Sequence, residues 1–140
     1  MLGQFGAVYL LDWGIAIDKQ RTEAVHRGTV GTPHYIAPEM LSGEPEDVDA
    51  RTDVYLLGAT LHYLLVGKPR HEASTTISAL IKASKSEPYE YPATVYPELG
   101  DLANRACAVD PDDRPQSVAD FRKAIEDCLG RDAHGAARPA

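Results

Sequence analysis

Apolar residues crowd into one stretch of the chain and thin out on either side of it. The run "DVYLLGATLHYLLVG" is apolar nearly all round, with Leu56, Leu57, Leu61, Leu64 and Leu65 spread over several faces. That pattern predicts a helix buried inside a domain rather than one lying on its surface. Asp49 or Thr52 can cap its start, and Gly67 followed by Pro69 stops it. Weaker periodicity predicts three more helices. Residues 75–84 carry Ile77, Leu80 and Ile81. Pro97, suited to a first helical turn, opens a segment with Leu99, Leu102, Ala103, Ala106 and Cys107 at i, i+3, i+4, i+7 and i+8. Ser117 can cap a last helix whose apolar face is Val118, Phe121, Ile125 and Cys128 or Leu129.

The intervening segments read as connections. "EPYEYPATVYP" is proline-rich, carries tyrosines and is expected to be extended, while "DPDDRP" is a turn cluster. Near the start, a turn at Gly3 to Gly6 precedes the short apolar run Ala7 to Leu11. This predicts the second strand of a small β-hairpin, with Met1 and Leu2 the stub of its partner. Residues 15–30 show neither period and are expected to form a loop carrying Thr22 and Thr29, ended sharply by Gly31, Thr32 and Pro33. Residues 130–140 have nothing to bury and are expected to be disordered.

A length of 140 residues suits one domain. Fourteen basic against 21 acidic residues leave a net charge of -7, which argues against a general binder of nucleic acid or anionic membrane and mildly favours basic partners. Cys107 and Cys128 lack metal-ligand spacing and fall at apolar helix positions, so reduced core thiols are expected. The scattered His26, His34, His62, His71 and His134 make no metal constellation and receive no catalytic role. No signal-peptide pattern opens the chain and its longest apolar run is too short to span a bilayer, so cytoplasmic localisation is the expectation.

Four segments in order, "LLDWG", "GTPHYIAPEM", "DARTDVYLLGATLHYLLVGKP" and "DPDDRPQSVADFRKAI", together resemble the C-terminal lobe of a eukaryotic-like serine/threonine protein kinase of the kind bacteria also use. The resemblance covers residues 1–129. It implies a mainly α fold: a partial protein-kinase-like C-lobe with the short N-terminal β-hairpin, an activation segment and about four helices. It also implies ATP and Mg2+ as cofactors of the complete domain and a protein substrate as partner. Asp12 stands at the aspartate of the family's D-F-G segment, where a carboxylate holds magnesium bridging the nucleotide phosphates. Trp13 replaces the usual phenylalanine and Gly14 gives the turn its freedom. Thr22, Thr29 and Thr32 become candidates for activation-loop phosphorylation. Thr32 also matches the threonine that reaches toward the catalytic base in serine/threonine kinases. Ala37, Pro38 and Glu39 match the family's A-P-E, Arg114 the arginine that pairs with that glutamate, and Asp53 the aspartate that binds the catalytic-loop backbone.

"GQFGAVY" imitates the end of a kinase nucleotide loop, but the spacing rejects it: Asp12 arrives four residues after Val8. The family's glycine-rich loop, strand lysine, partner glutamate and H-R-D-x-x-x-x-N segment do not occur in this sequence. The expectation is therefore a truncated lobe, inactive alone, whose central helix lacks part of its cover. Four leucines left exposed at about 1.5 to 3 kcal/mol each would cost about 6 to 12 kcal/mol, comparable to a domain's net stability of roughly 5 to 15. Self-association, or dependence on a partner supplying the missing kinase half, is then expected. The competing expectation is a noncatalytic kinase-like module that binds a protein through the surface near "GTPHYIAPE" and the helix after Ser74.

Overall fold

The computed structural model describes residues 6–9, 11, 14–18 and 31–132. They form four helices, α1 (Ala50–Val66), α2 (Thr76–Lys85), α3 (Pro97–Ala106) and α4 (Val118–Asp132), with 3-10 turns at Pro38–Leu41, Pro45–Asp47 and Pro111–Asp113. Among the described residues there is no strand. Val8 makes only an isolated bridge, and Met1, Leu2 and Leu10 of the expected hairpin lie outside the described residues. The mainly helical reading stands without that hairpin.

The two expected starts of α1 turn out to be one device. Asp49 is the N-cap and accepts from the Arg51 amide at 2.7 Å, while Thr52 Oγ1 accepts from the Asp49 amide at 3.2 Å, closing a reciprocal capping box. Gly67 ends the helix in the left-handed region at φ 71°, its amide bonded to the Tyr63 carbonyl at 2.8 Å. Thr75 and Ser78 cap α2 in the same reciprocal way. Pro97 occupies the first turn of α3, and Ser117 Oγ accepts from the Asp120 amide at 3.0 Å at the start of α4. That last helix continues through Gly130 to Asp132. Residues 133–140 of the expected tail lie outside the described residues.

The buried face of α1 differs from the leucine-based expectation. Thr52, Val54, Tyr55, Gly58, Ala59 and His62 are buried, whereas Leu57 and Leu64 are 38% and 74% exposed and the other three leucines are half-buried. The physical reason is distance. A Cβ on Gly58 would stand 2.5 Å from Ala106 Cβ and 3.1 Å from Cys107 Sγ, so α1 and α3 meet where only small side chains fit. In α2, too, the buried residues are small: Ala79 and Ala83 are buried while Ile77 and Ile81 are exposed. In α3 the expected face is the buried one: Leu99, Leu102, Ala103 and Ala106 are covered, as is the C-capping Cys107. Val54, Leu102, Ala106 and Phe121 make a core where α1, α3 and α4 converge, with Ile125 packed on its edge. Ala37, Tyr55, Ala59 and Cys107 make a second, against which Tyr35 and Met40 lie.

Candidate functional site

The second core supports a buried ion pair. Pro38 opens a 3-10 turn that follows the fully buried Ala37 and carries Glu39 toward the start of α1. The turn cluster after α3, held by Asp110 accepting from the Asp112 amide at 2.9 Å, delivers Arg114 from the other side. Arg114 Nη1 and Nη2 donate to Glu39 Oε1 and Oε2 at 2.7 and 2.8 Å, a two-point pairing in which the arginine side chain is fully buried. Its remaining donors go to main-chain carbonyls: Nε to Ala108 at 2.8 Å, Nη1 to Arg51 and Nη2 to Val109, each at 3.1 Å. All five guanidinium N–H groups are thus used, the condition under which a buried arginine is tolerated.

Thr52 joins this pair to the helix cap. Its hydroxyl donates to Glu39 Oε1 at 2.7 Å while accepting from the Asp49 amide. Burial alone would raise the Glu39 pKa, but hydrogen bonds from Arg114 and Thr52 outweigh it and hold the carboxyl below its ordinary value. The Arg114 guanidinium lies 4.9 Å from the centroid of the Tyr55 ring, so α1 contributes a cation–π contact to the same assembly.

The other predicted site residues are placed less completely. Gly14 is an exposed turn residue, whereas Asp12, Trp13, Thr22 and Thr29 lie outside the described residues. Thr32 is exposed, and its carbonyl accepts from the Tyr35 and Ile36 amides at 2.9 and 3.1 Å, folding residues 32–36 into a turn. Asp53 is exposed at the first turn of α1; partial burial, then the Asp49 charge, raises its pKa. The structure therefore joins Glu39 and Arg114 and leaves Thr32 and Asp53 outside that cluster.

Magnesium requires several oxygen donors converging on one point. Among the described residues no three His, Cys, Asp or Glu side chains converge in this way, and Asp12 lies outside them. The described residues do not make up a magnesium site on their own.

Sequence reasoning missed a buried polar network next to the pair. Tyr55 Oη lies 2.9 Å from His71 Nε2 and 2.7 Å from Ser86 Oγ, and Ser86 Oγ donates to the Cys107 carbonyl at 2.6 Å. Arg70, also buried, donates to Asn104 Oδ1 at 3.1 Å and to the Glu87 carbonyl at 2.9 Å. His62 Nδ1 meets Tyr91 Oη at 2.8 Å. Burial, followed by the Arg70 charge, pushes both His62 and His71 down to about 4. Burial pushes the Cys107 thiol up to about 11, so it remains protonated at neutral pH. The only signal in the sequence was a set of polar residues interrupting apolar runs.

Comparison with known proteins gives this arrangement its context. Residues 1–127 match the protein kinase domain family. The chain is 32% identical over 97% of its length to a probable serine/threonine-protein kinase of Streptomyces coelicolor. It is 33% identical over 87% to the serine/threonine-protein kinase PknB of Mycolicibacterium smegmatis, and 36% identical over 94% to Pkn1 of Myxococcus xanthus. These alignments take in 21%, 20% and 19% of the relatives' own lengths. The chain thus spans about a fifth of each.

Proposed function

The chain belongs to the protein kinase domain family, and from that premise we propose that it is the C-lobe part of a serine/threonine kinase, which in complete form transfers the ATP γ-phosphate to protein Ser or Thr hydroxyls. The observation that carries this reading is the two-point Glu39–Arg114 pair, tied to the α1 cap through Thr52. It fixes residues 32–39 beside α1, where a substrate-facing segment would have to be held. Asp12 would hold magnesium when the complete domain binds ATP, Gly14 would give that segment its turn, and Thr32 would reach toward the base. Thr22, Thr29 and Thr32 would accept regulatory phosphate. Asp53 would accept hydrogen bonds from a catalytic-loop backbone, a role that suits a carboxylate at the edge of the described core.

As given, the chain lacks the nucleotide loop, strand lysine and H-R-D segment, so we propose that it does not catalyse alone. Placement in the cytoplasm, where ATP is at hand, accords with the buried free thiol of Cys107. Among the described residues no helix is long and apolar enough to cross a membrane. The test is a chimaera in which the region of Pkn1 preceding its match to Asp12 is fused to this chain. Magnesium-dependent phosphorylation of a protein substrate by the chimaera, its loss in Asp12→Asn, and silence of the unfused chain are the expected results. Robust autophosphorylation by the unfused chain would overturn the claim of inactivity. A folded but silent chimaera would favour the second reading, a noncatalytic binding module. The exposed Ile77 and Ile81 on α2 are the observation in favour of that module.

A further inference from the structure

The connector between α2 and α3 holds two tyrosines in place. Asn104 on α3 clasps Tyr89 by both main-chain groups, its Oδ1 accepting from the Tyr89 amide at 2.8 Å and its Nδ2 donating to the Tyr89 carbonyl at 2.9 Å. Tyr91 Oη meets His62 Nδ1 at 2.8 Å, and the Tyr91 ring lies against Gly100, where a Cβ would stand 2.8 Å from Cδ2. The two rings approach edge to face, with centroids 5.0 Å apart and planes at 65°. Tyr89 is nonetheless 38% exposed. An aromatic pair fixed in this way can receive a ligand at little ordering cost.

The rings border a cleft of about 210 Å³, completed by Pro92, Val95, Pro97 and Asp101 among others. Asp101 is the one charged residue in that lining. It also borders a wider depression of about 570 Å³, whose other charged residues are Glu98, Asp127 and Arg105. Asp127 is paired with Lys123 at 2.6 Å, but neither Glu98 nor Asp101 joins an ion pair among the described residues. The buried Arg70 donates to Asn104 and to the Glu87 carbonyl rather than to Asp101. We propose that this face of α3 docks an arginine-bearing segment of another protein, one guanidinium stacking on the Tyr89–Tyr91 pair with Asp101 as its counter-charge. The inference does not rest on the reaction proposed above.

The lining decides between occupants. An apolar group filling the cleft would cover Asp101 and leave its charge without a partner, and an anion would meet Asp101 and Glu98 as like charges. A cation satisfies both parts of the lining, because the face of an aromatic ring attracts it and the carboxylate pairs with it. Arginine fits better than lysine: its guanidinium is planar, stacks on aromatic faces and is more weakly hydrated than an ammonium. Arg105 offsets part of the charge in the wider depression, so the tyrosine cleft with Asp101 is the specific element. The net charge of -7 draws a basic segment toward the chain from a distance, an attraction that salt screens.

The experiment titrates the full, isotope-labelled chain with the peptide acetyl-Gly-Arg-Gly-Arg-amide and follows backbone amide shifts by NMR, with the lysine and glutamate versions of the peptide as comparisons. The arginine peptide should give shifts at Tyr89, Tyr91, Gly100 and Asp101 that saturate by roughly ten millimolar. The lysine version should bind more weakly and the glutamate version not at all. Asp101→Asn and Tyr89→Leu should each weaken arginine-peptide binding about two- to fivefold. Asp113→Asn, which removes the same charge from an exposed turn elsewhere, should leave it unchanged. Shifts that do not saturate, that centre on the acidic residues 44–53 instead, or that weaken equally in Asp113→Asn would reduce the effect to general charge attraction and overturn the proposal. Equal binding of the lysine or glutamate peptide would overturn it as well. The shift map and the peptide comparison need no variant, so a misfolded Tyr89→Leu leaves both decisive.

Discussion

Replacing Arg114 by alanine removes five hydrogen bonds at once. Glu39, whose side chain is 10% exposed, would retain only the Thr52 hydroxyl among its side-chain partners, and the carbonyls of Arg51, Ala108 and Val109 would each lose a donor. Removing one member of a buried pair typically costs about 3–5 kcal/mol, because the other charge stays behind without its partner. Against a domain stability of roughly 5–15 kcal/mol, that is enough to unfold much of a marginal population. Lysine at the same position restores a charge but offers three donors without the planar fork, so Arg114→Lys should recover only part of the loss. The informative assay is a urea-denaturation cycle of Glu39→Gln, Arg114→Met and the double variant, since the double change removes both charges together. It should be less destabilised than the sum of the singles by about 0.5–3 kcal/mol. Additive losses, or an Arg114→Ala variant within about 0.5 kcal/mol of the parent as for an ordinary surface change, would refute the reasoning. The acid limb supplies a second check. The Glu39 pKa is lowered from 4.5 on folding, so its contribution is fully present above about 4.5 and is lost as pH falls through the depressed value. Glu39→Gln should flatten that part of the stability profile.

Two further perturbations test the packing. Gly58→Ala would set a methyl group 2.5 Å from Ala106 Cβ, and overpacking of this kind typically costs about 1–3 kcal/mol. Denaturation midpoints should show that loss, with partial rescue by Ala106→Gly; an unchanged Gly58→Ala midpoint would contradict the close helix contact. Leu64, 74% exposed near the end of α1, should drive association of the isolated chain. Leu64→Lys should raise the monomer fraction in sedimentation at matched concentration, and a parent chain already monomeric with a concentration-independent transition would count against this.

The ion pair could be read from sequence because each partner sits in a recognisable local string: Glu39 behind Ala37 and Pro38, Arg114 inside "DDRP". Helix starts were legible for a similar reason, since Asp49, Thr75 and Ser117 act on neighbours within one turn. The buried faces of α1 and α2 were not. Hydrophobicity pointed to leucine and isoleucine, but the close meeting of α1 and α3 requires Gly58, and the residues buried beside it and on α2 are Ala59, Ala79 and Ala83. His71, Tyr55 and Ser86 were beyond reach for another reason. Their contacts span 16 and 31 residues, and no local pattern announces that a histidine will meet a tyrosine across such a distance.

The meeting of Gly58 with Ala106 also has a mechanical meaning. Two helices separated by flexible side chains can slide or tilt against a soft layer, but α1 and α3 touch almost backbone to backbone, and a close-packed interior has little compressibility. They therefore act as one bar. A displacement of α1 would carry α3 with it rather than be absorbed between the two helices.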